Sequence, residues 1–205
     1  MLNTINKGYK DILRLFYTER TKLHLRDIAK RTKLNENSAY RFLNVLEKEK
    51  ILKSEKQGNL KLFSLRKNKQ IYAILAFFDV EKYQRLFHLR KTAISAYMKY
   101  LPKQPVFAIL FGSTAKETYR KDSDIDILLI SNEKINTKKA EESASALSTL
   151  KVSTFQMTYK NFLKEVKMKE DPVVQSAIFS GYPLINHIYY YEVLNYEWVW
   201  SEQID

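Results

Sequence analysis

Two aspartates separated by one isoleucine, Asp124-Ile125-Asp126, open the apolar run DIDILLI at residues 124–130. Side chains two apart on a strand project from the same face, so the two carboxylates share a surface. Charges of one sign held that close repel each other, and a purely structural strand gains nothing from them. A divalent cation removes the penalty: Mg²⁺ takes hard oxygen ligands and is usually held by one or two carboxylates together with substrate phosphates. Upstream, the apolar run VFAILF (106–111) ends at Gly112-Ser113, ten residues before Asp124. A Gly-Ser turn that opens a helix presents backbone N–H groups to an anion, and glycine allows close approach. Phosphates at the end of one strand and Mg²⁺ at the start of the next describe a nucleoside triphosphate site. Between the two motifs, Lys116, Arg120 and Lys121 either neutralise phosphate charge or form an ordinary solvated helix face, with Lys116 the best placed.

An apolar strand, Gly112-Ser113, a ten-residue gap and Ser123-Asp124-Ile125-Asp126 within a second apolar strand together resemble the signature of the DNA polymerase beta superfamily. The minimal nucleotidyltransferases are the most similar branch. The resemblance covers about residues 104–190 and implies a short mixed sheet flanked by helices. It implies that Gly112 and Ser113 hold the triphosphate, with Lys116 where the family often has Arg, and that Asp124 and Asp126 are catalytic and bind Mg²⁺. The chemistry implied is in-line attack of an acceptor hydroxyl on the α-phosphate of ATP or another nucleoside triphosphate, with a two-metal arrangement stabilising the attacking and leaving oxygens.

Active members of the family carry a third carboxylate on a later strand, where it helps hold the catalytic metal and can take the acceptor's proton. The corresponding segment here, LKVSTFQMT (150–158), has no Asp or Glu, and Ser153 falls near the missing position. Glu141, Glu142 and Glu165 lie on predicted helices and fit poorly. The residues thus support nucleotide binding better than turnover. The alternative to a transferase is a transcriptional regulator whose degenerate domain senses nucleotide or mediates dimerisation. Some relatives nucleotidylate a partner toxin, and the resemblance adds such a partner to the candidate acceptors.

Charge singles out the other end of the chain. Residues 1–70 hold 18 Lys+Arg against 7 Asp+Glu, a net +11, whereas residues 71–205 hold 17 against 16, a net +1. Cations concentrated in one third point to a polyanionic partner. Within this third, apolar spacing predicts a helix from near Lys7 with Ile12, Leu13, Leu15 and Phe16, and a second with Leu25, Ile28, Ala29 and Leu34. A third, capped by Asn35, would bury Ala39, Phe42, Leu43 and Leu46. ILKSEKQGNLKLFSL then reads as a hairpin turning at Gln57-Gly58-Asn59. Helix, helix, helix, hairpin resembles the winged helix-turn-helix of prokaryotic regulators. That fold implies double-stranded DNA as the partner of residues 1–66, with Asn37, Ser38, Tyr40, Arg41 and Asn44 facing the major groove. Lys53, Lys56 and Lys61, on or beside the wing, would add affinity independent of sequence.

The expected fold class is α+β: a winged helix-turn-helix (1–66), a helical connector (67–103) and a nucleotidyltransferase domain (104–205). The connector has no Pro or Gly and carries apolar residues at helical spacing; His88 within it has no partner at metal spacing. The tail is dense in tyrosine and contains Trp198 and Trp200, a composition suited to core or homodimer packing. With no cysteine, disulfides and Cys-ligated zinc are excluded. No apolar run approaches a membrane span and MLNTINKGYKDILRLFY has no long apolar core, so a cytoplasmic protein with no membrane partner is expected.

Overall fold

The computed structural model describes residues 7–197; Trp198 and Trp200 lie outside the described residues. These form two compact units that divide between Phe78 and Asp79.

In the first unit, α1 (Lys7–Glu19), the short β1 (Leu23–His24), α2 (Leu25–Thr32) and α3 (Glu36–Lys48) are followed by β2 (Leu52–Gln57) and β3 (Leu60–Leu65). Ile12, Phe16, Ile28, Ala39, Leu43, Leu52 and Phe63 are buried at the centre. Asn35 caps α3 as expected, its side chain accepting the Ser38 N–H at 2.8 Å. Glycine at position 8 has a packing reason: a Cβ there would collide with the Phe42 ring, whose edge meets Tyr9. β3 lies between β1 and β2, all antiparallel. The hairpin turns through Gly58, which takes φ 57°. Three helices and a winged hairpin are thus present as read from the pattern.

The connector forms two helices, α4 (Lys69–Arg85) and α5 (His88–Tyr100), interrupted at Leu86-Phe87. Then come β4 (Phe107–Phe111), the single turn α6 (Gly112–Ala115), β5 (Ile125–Ser131), α7 (Lys138–Ser148), β6 (Val152–Thr158), α8 (Tyr159–Met168), α9 (Pro172–Ser180), β7 (Tyr182–Pro183) and α10 (His187–Glu197). The sheet order is β6-β5-β4-β7. β5 runs parallel to β6 and antiparallel to β4, and β7 is antiparallel to β4, so the sheet is mixed.

Alternation along the strands sorts the two faces. Ala108, Leu110, Ile125, Ile127, Leu129 and Val152 pack with Ala93, Ile94 and Tyr97 of α5 and Ala140 and Ala144 of α7. The opposite face carries Phe107, whose ring meets Tyr159, Phe162, Tyr189 and Tyr190 from α8 and α10. The α+β architecture is that expected, with one local difference. TAKETYRK has helical composition, yet helix stops after one turn at Ala115, and Glu117 takes φ 58°. A tertiary contact, the Arg90 guanidinium, takes the Arg120 carbonyl of this segment, which runs on as an irregular loop.

Candidate functional site

β4 and β5 are antiparallel with Phe111 opposite Asp126, so the end of one strand adjoins the start of the next. Gly112 follows Phe111 at φ 68°, a left-handed conformation that favours glycine. A Cβ at this position would run into Asp126 Oδ2, so the turn and the carboxylate share one small space. The two sequence motifs, ten residues apart, are therefore a single site.

Burial raises the Asp126 pKa above the ordinary 3.8, and the neighbouring charge of Asp124 raises it further; Arg90 and Lys151 oppose both. The two carboxylates do converge, as their spacing predicts. The third strand completes the row. In the parallel pairing of β5 and β6, Ser153 lies opposite Asp126, and its hydroxyl donates to Asp124 Oδ2 at 3.0 Å. Ser153 thus faces both aspartates from the neighbouring strand. The Lys151 ammonium lies 3.3 Å from the same Oδ2, an exposed pair of small energetic weight. Glu141 and Glu165 are engaged elsewhere. Glu141 accepts from the Thr137 hydroxyl, and the buried Glu165 accepts from the Asp171 N–H and the Gln175 amide.

One residue near the site left no signal in the pattern. Arg90, in the first turn of α5, is only 2% exposed. Its guanidinium donates to Thr114 Oγ1 at 2.7 Å and to the carbonyls of Arg120 and Ser123, each at 2.9 Å. The Tyr119 ring lies 3.9 Å from its centre. Lys116 caps α6 and is exposed beside the Gly-Ser turn, as are Arg120 and Lys121 farther along the loop. His88 is exposed, and Tyr190 and Tyr191 are core residues, the latter donating to the buried Asp79 at 2.8 Å.

Among the described residues, no group of three His, Cys, Asp or Glu side chains could hold a metal. Two neighbouring carboxylates, one of them held back from ionising by burial and then by the charge of the other, suit a single Mg²⁺ whose remaining ligands come from phosphate and water. The donor set fits a metal–nucleotide better than a metal alone.

In the first unit, Asn37, Tyr40 and Arg41 are exposed on α3, while Ser38 and Asn44 are half-buried. Positions 37, 41 and 44 recur at helical spacing and share a face. Arg41 leans on Ser38 Oγ at 3.4 Å. Lys56 is exposed near the hairpin tip, whereas Lys61 is drawn to Glu47 at 2.8 Å and Lys22 to Glu55 at 2.6 Å.

Comparison with known families agrees with both readings. The family described as "Polymerase beta, Nucleotidyltransferase" matches residues 92–187. The second unit contains a polymerase beta-type nucleotidyltransferase domain. The "IclR helix-turn-helix domain" matches residues 11–56, which takes in most of α1, all of α2 and α3, and most of β2. Among solved structures, that of TrmBL2, described as an archaeal chromatin protein with a novel mode of DNA binding, shares 16% identity with this chain. The match covers 78% of this chain and 66% of that one at a TM-score of 0.25, too distant to bear on the nucleotidyltransferase site. No curated protein matches the chain. Among the described residues, no helix is long and apolar enough to cross a membrane.

Proposed function

We propose that the nucleotidyltransferase domain binds a magnesium–nucleoside triphosphate, ATP being the first to test, and transfers its nucleotidyl group to an acceptor hydroxyl. We propose also that the helix-turn-helix domain binds double-stranded DNA. One observation carries the first reading: Gly112 and Asp126 meet so closely that a single β-carbon at position 112 would collide with the carboxylate. Asp124 and Asp126 would hold Mg²⁺, which when bound draws the triphosphate in and offsets its charge. Gly112 and Ser113 would receive the phosphates through backbone N–H groups, and Lys116 would neutralise those reaching past the turn. DNA contact would fall to Asn37, Ser38, Tyr40, Arg41 and Asn44 on α3, with Lys56 on the wing. Base contacts suit Arg41 and Asn44, and phosphate contacts suit Ser38 and Lys56.

Ser153 favours a second reading. A serine hydroxyl is far too weak a base to take an acceptor's proton, so Ser153 cannot supply the role that a third carboxylate has in active relatives. On this reading the protein is a DNA-bound regulator that senses nucleotide without turning it over.

Calorimetric titration of ATP in Mg²⁺ and in EDTA tests binding, and radiolabelled ATP incubated with cell extract tests transfer. Metal-dependent binding that disappears in Asp124→Asn/Asp126→Asn, with DNA binding intact, is the expected result. Transfer that also disappears in the double variant favours the enzyme, and binding without transfer favours the sensor. Nucleotide binding unchanged in the double variant overturns the site.

A further inference from the structure

The geometry points to Arg90 as the positioning residue of the site: its guanidinium fastens the Gly-Ser turn, the loop at 116–123 and the start of β5 into one rigid piece. The inference rests in part on the nucleotide-binding reading, but the fastening itself is a property of the chain alone.

Three observations carry it. First, three of the guanidinium's donors are used at short range, and their partners belong to different segments. Thr114 belongs to α6, directly after Gly112-Ser113, while Arg120 and Ser123 lie at the far end of the loop, the latter directly before Asp124. A single planar group therefore ties both ends of a ten-residue gap. Second, the guanidinium is held on its face as well as its edges, with Tyr119 of the same loop stacked at 3.9 Å. Third, the loop has little regular structure of its own. Apart from the turn closed by Lys116 N–H to Gly112 O, its internal bonds are few, among them Thr118 N–H to Ser113 O and Arg120 N–H to Ser123 Oγ. Thr114 adds a weaker link of its own to the Asp124 carbonyl at 3.4 Å.

Burying a cation is costly unless every donor is met. Here the acceptors are two carbonyls and a hydroxyl rather than a carboxylate, so Arg90 is not simply one half of an ion pair. Lysine would preserve the charge and most of the stem but could not reach three acceptors in one plane. The arrangement uses what distinguishes arginine: directional donors that set distances between segments. The distance so fixed is that between the phosphate-receiving turn and the metal-binding carboxylates, and displacements of about 1 Å at such places cost about a hundredfold in rate or affinity.

The test compares Arg90→Lys, Thr114→Val and, as a control, Tyr97→Phe. The control removes a bond from α5 to Thr154 on the other face of the sheet. Each variant is examined by thermal melting, by calorimetric Mg–ATP titration, and by hydrogen exchange of peptides spanning 112–124 without nucleotide. Arg90→Lys is expected to keep most of the melting temperature, to speed exchange in the 112–124 peptides and to weaken Mg–ATP about tenfold or more. Thr114→Val should act in the same direction with a smaller effect, and Tyr97→Phe should lower the melting temperature without altering exchange there or affinity. Exchange unchanged in Arg90→Lys overturns the proposal, whether or not nucleotide binds. Faster exchange with wild-type affinity shows that the fastening does not set the nucleotide site, and also overturns it. A wild-type protein that binds no nucleotide but shows the exchange difference leaves the fastening standing and removes the functional reading instead.

Discussion

The two units put their chemistry in opposite places. In the helix-turn-helix unit, Asn37, Tyr40 and Arg41 stand on the outside of a helix whose inner face, Ala39, Leu43 and Leu46, holds the fold together. In the nucleotidyltransferase domain, Asp126 and Gly112 sit in a space with no room for a methyl group, and Arg90 is buried behind them. The first unit can change its contact residues without disturbing its core. The second cannot, because the groups that would act are also the groups that pack. Stability and function are separable in one unit and opposed in the other.

The largest effect that would sharpen this contrast comes from Gly112→Ala. A left-handed alanine costs about 1–2 kcal/mol, and its methyl group would push Asp126 aside. Mg–ATP affinity is expected to fall about a hundredfold or more, as read by calorimetry, while DNA binding stays at wild-type strength. Near-normal nucleotide affinity would break the claim that turn and carboxylate are one site.

Ser153→Asp restores a carboxylate opposite Asp126. If the missing base is what limits the reaction, transfer of label from ATP should rise about a hundredfold, within the usual range for general-base catalysis. A variant that binds nucleotide but transfers no more than wild type would favour the sensor reading.

Arg41→Ala should weaken DNA binding by about 1–3 kcal/mol and leave the melting temperature within a degree or two. Wild-type binding should also fall steeply with salt. Fluorescence anisotropy on duplex DNA measures both, and binding indifferent to salt would point to a protein partner for the helix instead.

The smallest effect is a gain. Asp126 has a folded pKa above the ordinary 3.8, so the native state holds that proton more tightly than the unfolded chain. The stabilisation this gives is complete below about pH 4 and is lost as pH rises through the folded value. At neutral pH the wild type carries an ionised, repelled carboxylate that Asp126→Asn does not. The asparagine variant should therefore melt a few degrees higher at pH 7 without Mg²⁺, and the gap should close as the pH falls toward 4. A variant less stable than wild type at pH 7 would show that Asp126 is not held under strain.

Much of this was legible in the chain. Asn35 announces its helix because its side chain can satisfy the free N–H of Ser38, directly before the buried series Ala39, Leu43 and Leu46 begins. Gly112-Ser113 and Asp124-Ile125-Asp126 announce their site because spacing along strands fixes which side chains meet. Ser153 is placed near them by the family resemblance rather than by spacing, and the pairing of β5 with β6 sets it opposite Asp126. Arg90 could not be placed, since nothing in the α5 sequence distinguishes an inward arginine from a solvated one, and its partners are mostly carbonyls, which any residue supplies. TAKETYRK (114–121) has helix-forming composition, yet helix stops at Ala115, and Arg90, 30 residues away, takes the Arg120 carbonyl. Gly8 was equally silent, because its reason is the Phe42 ring on another helix.

Lys151 gives the site one further property. Asp124 already has a cation beside it, tethered to the chain and free to swing into water. On the proposed reading, a divalent ion arriving at Asp124 would displace Lys151 rather than fill an empty seat, and because the pair is exposed and weak that exchange would cost little.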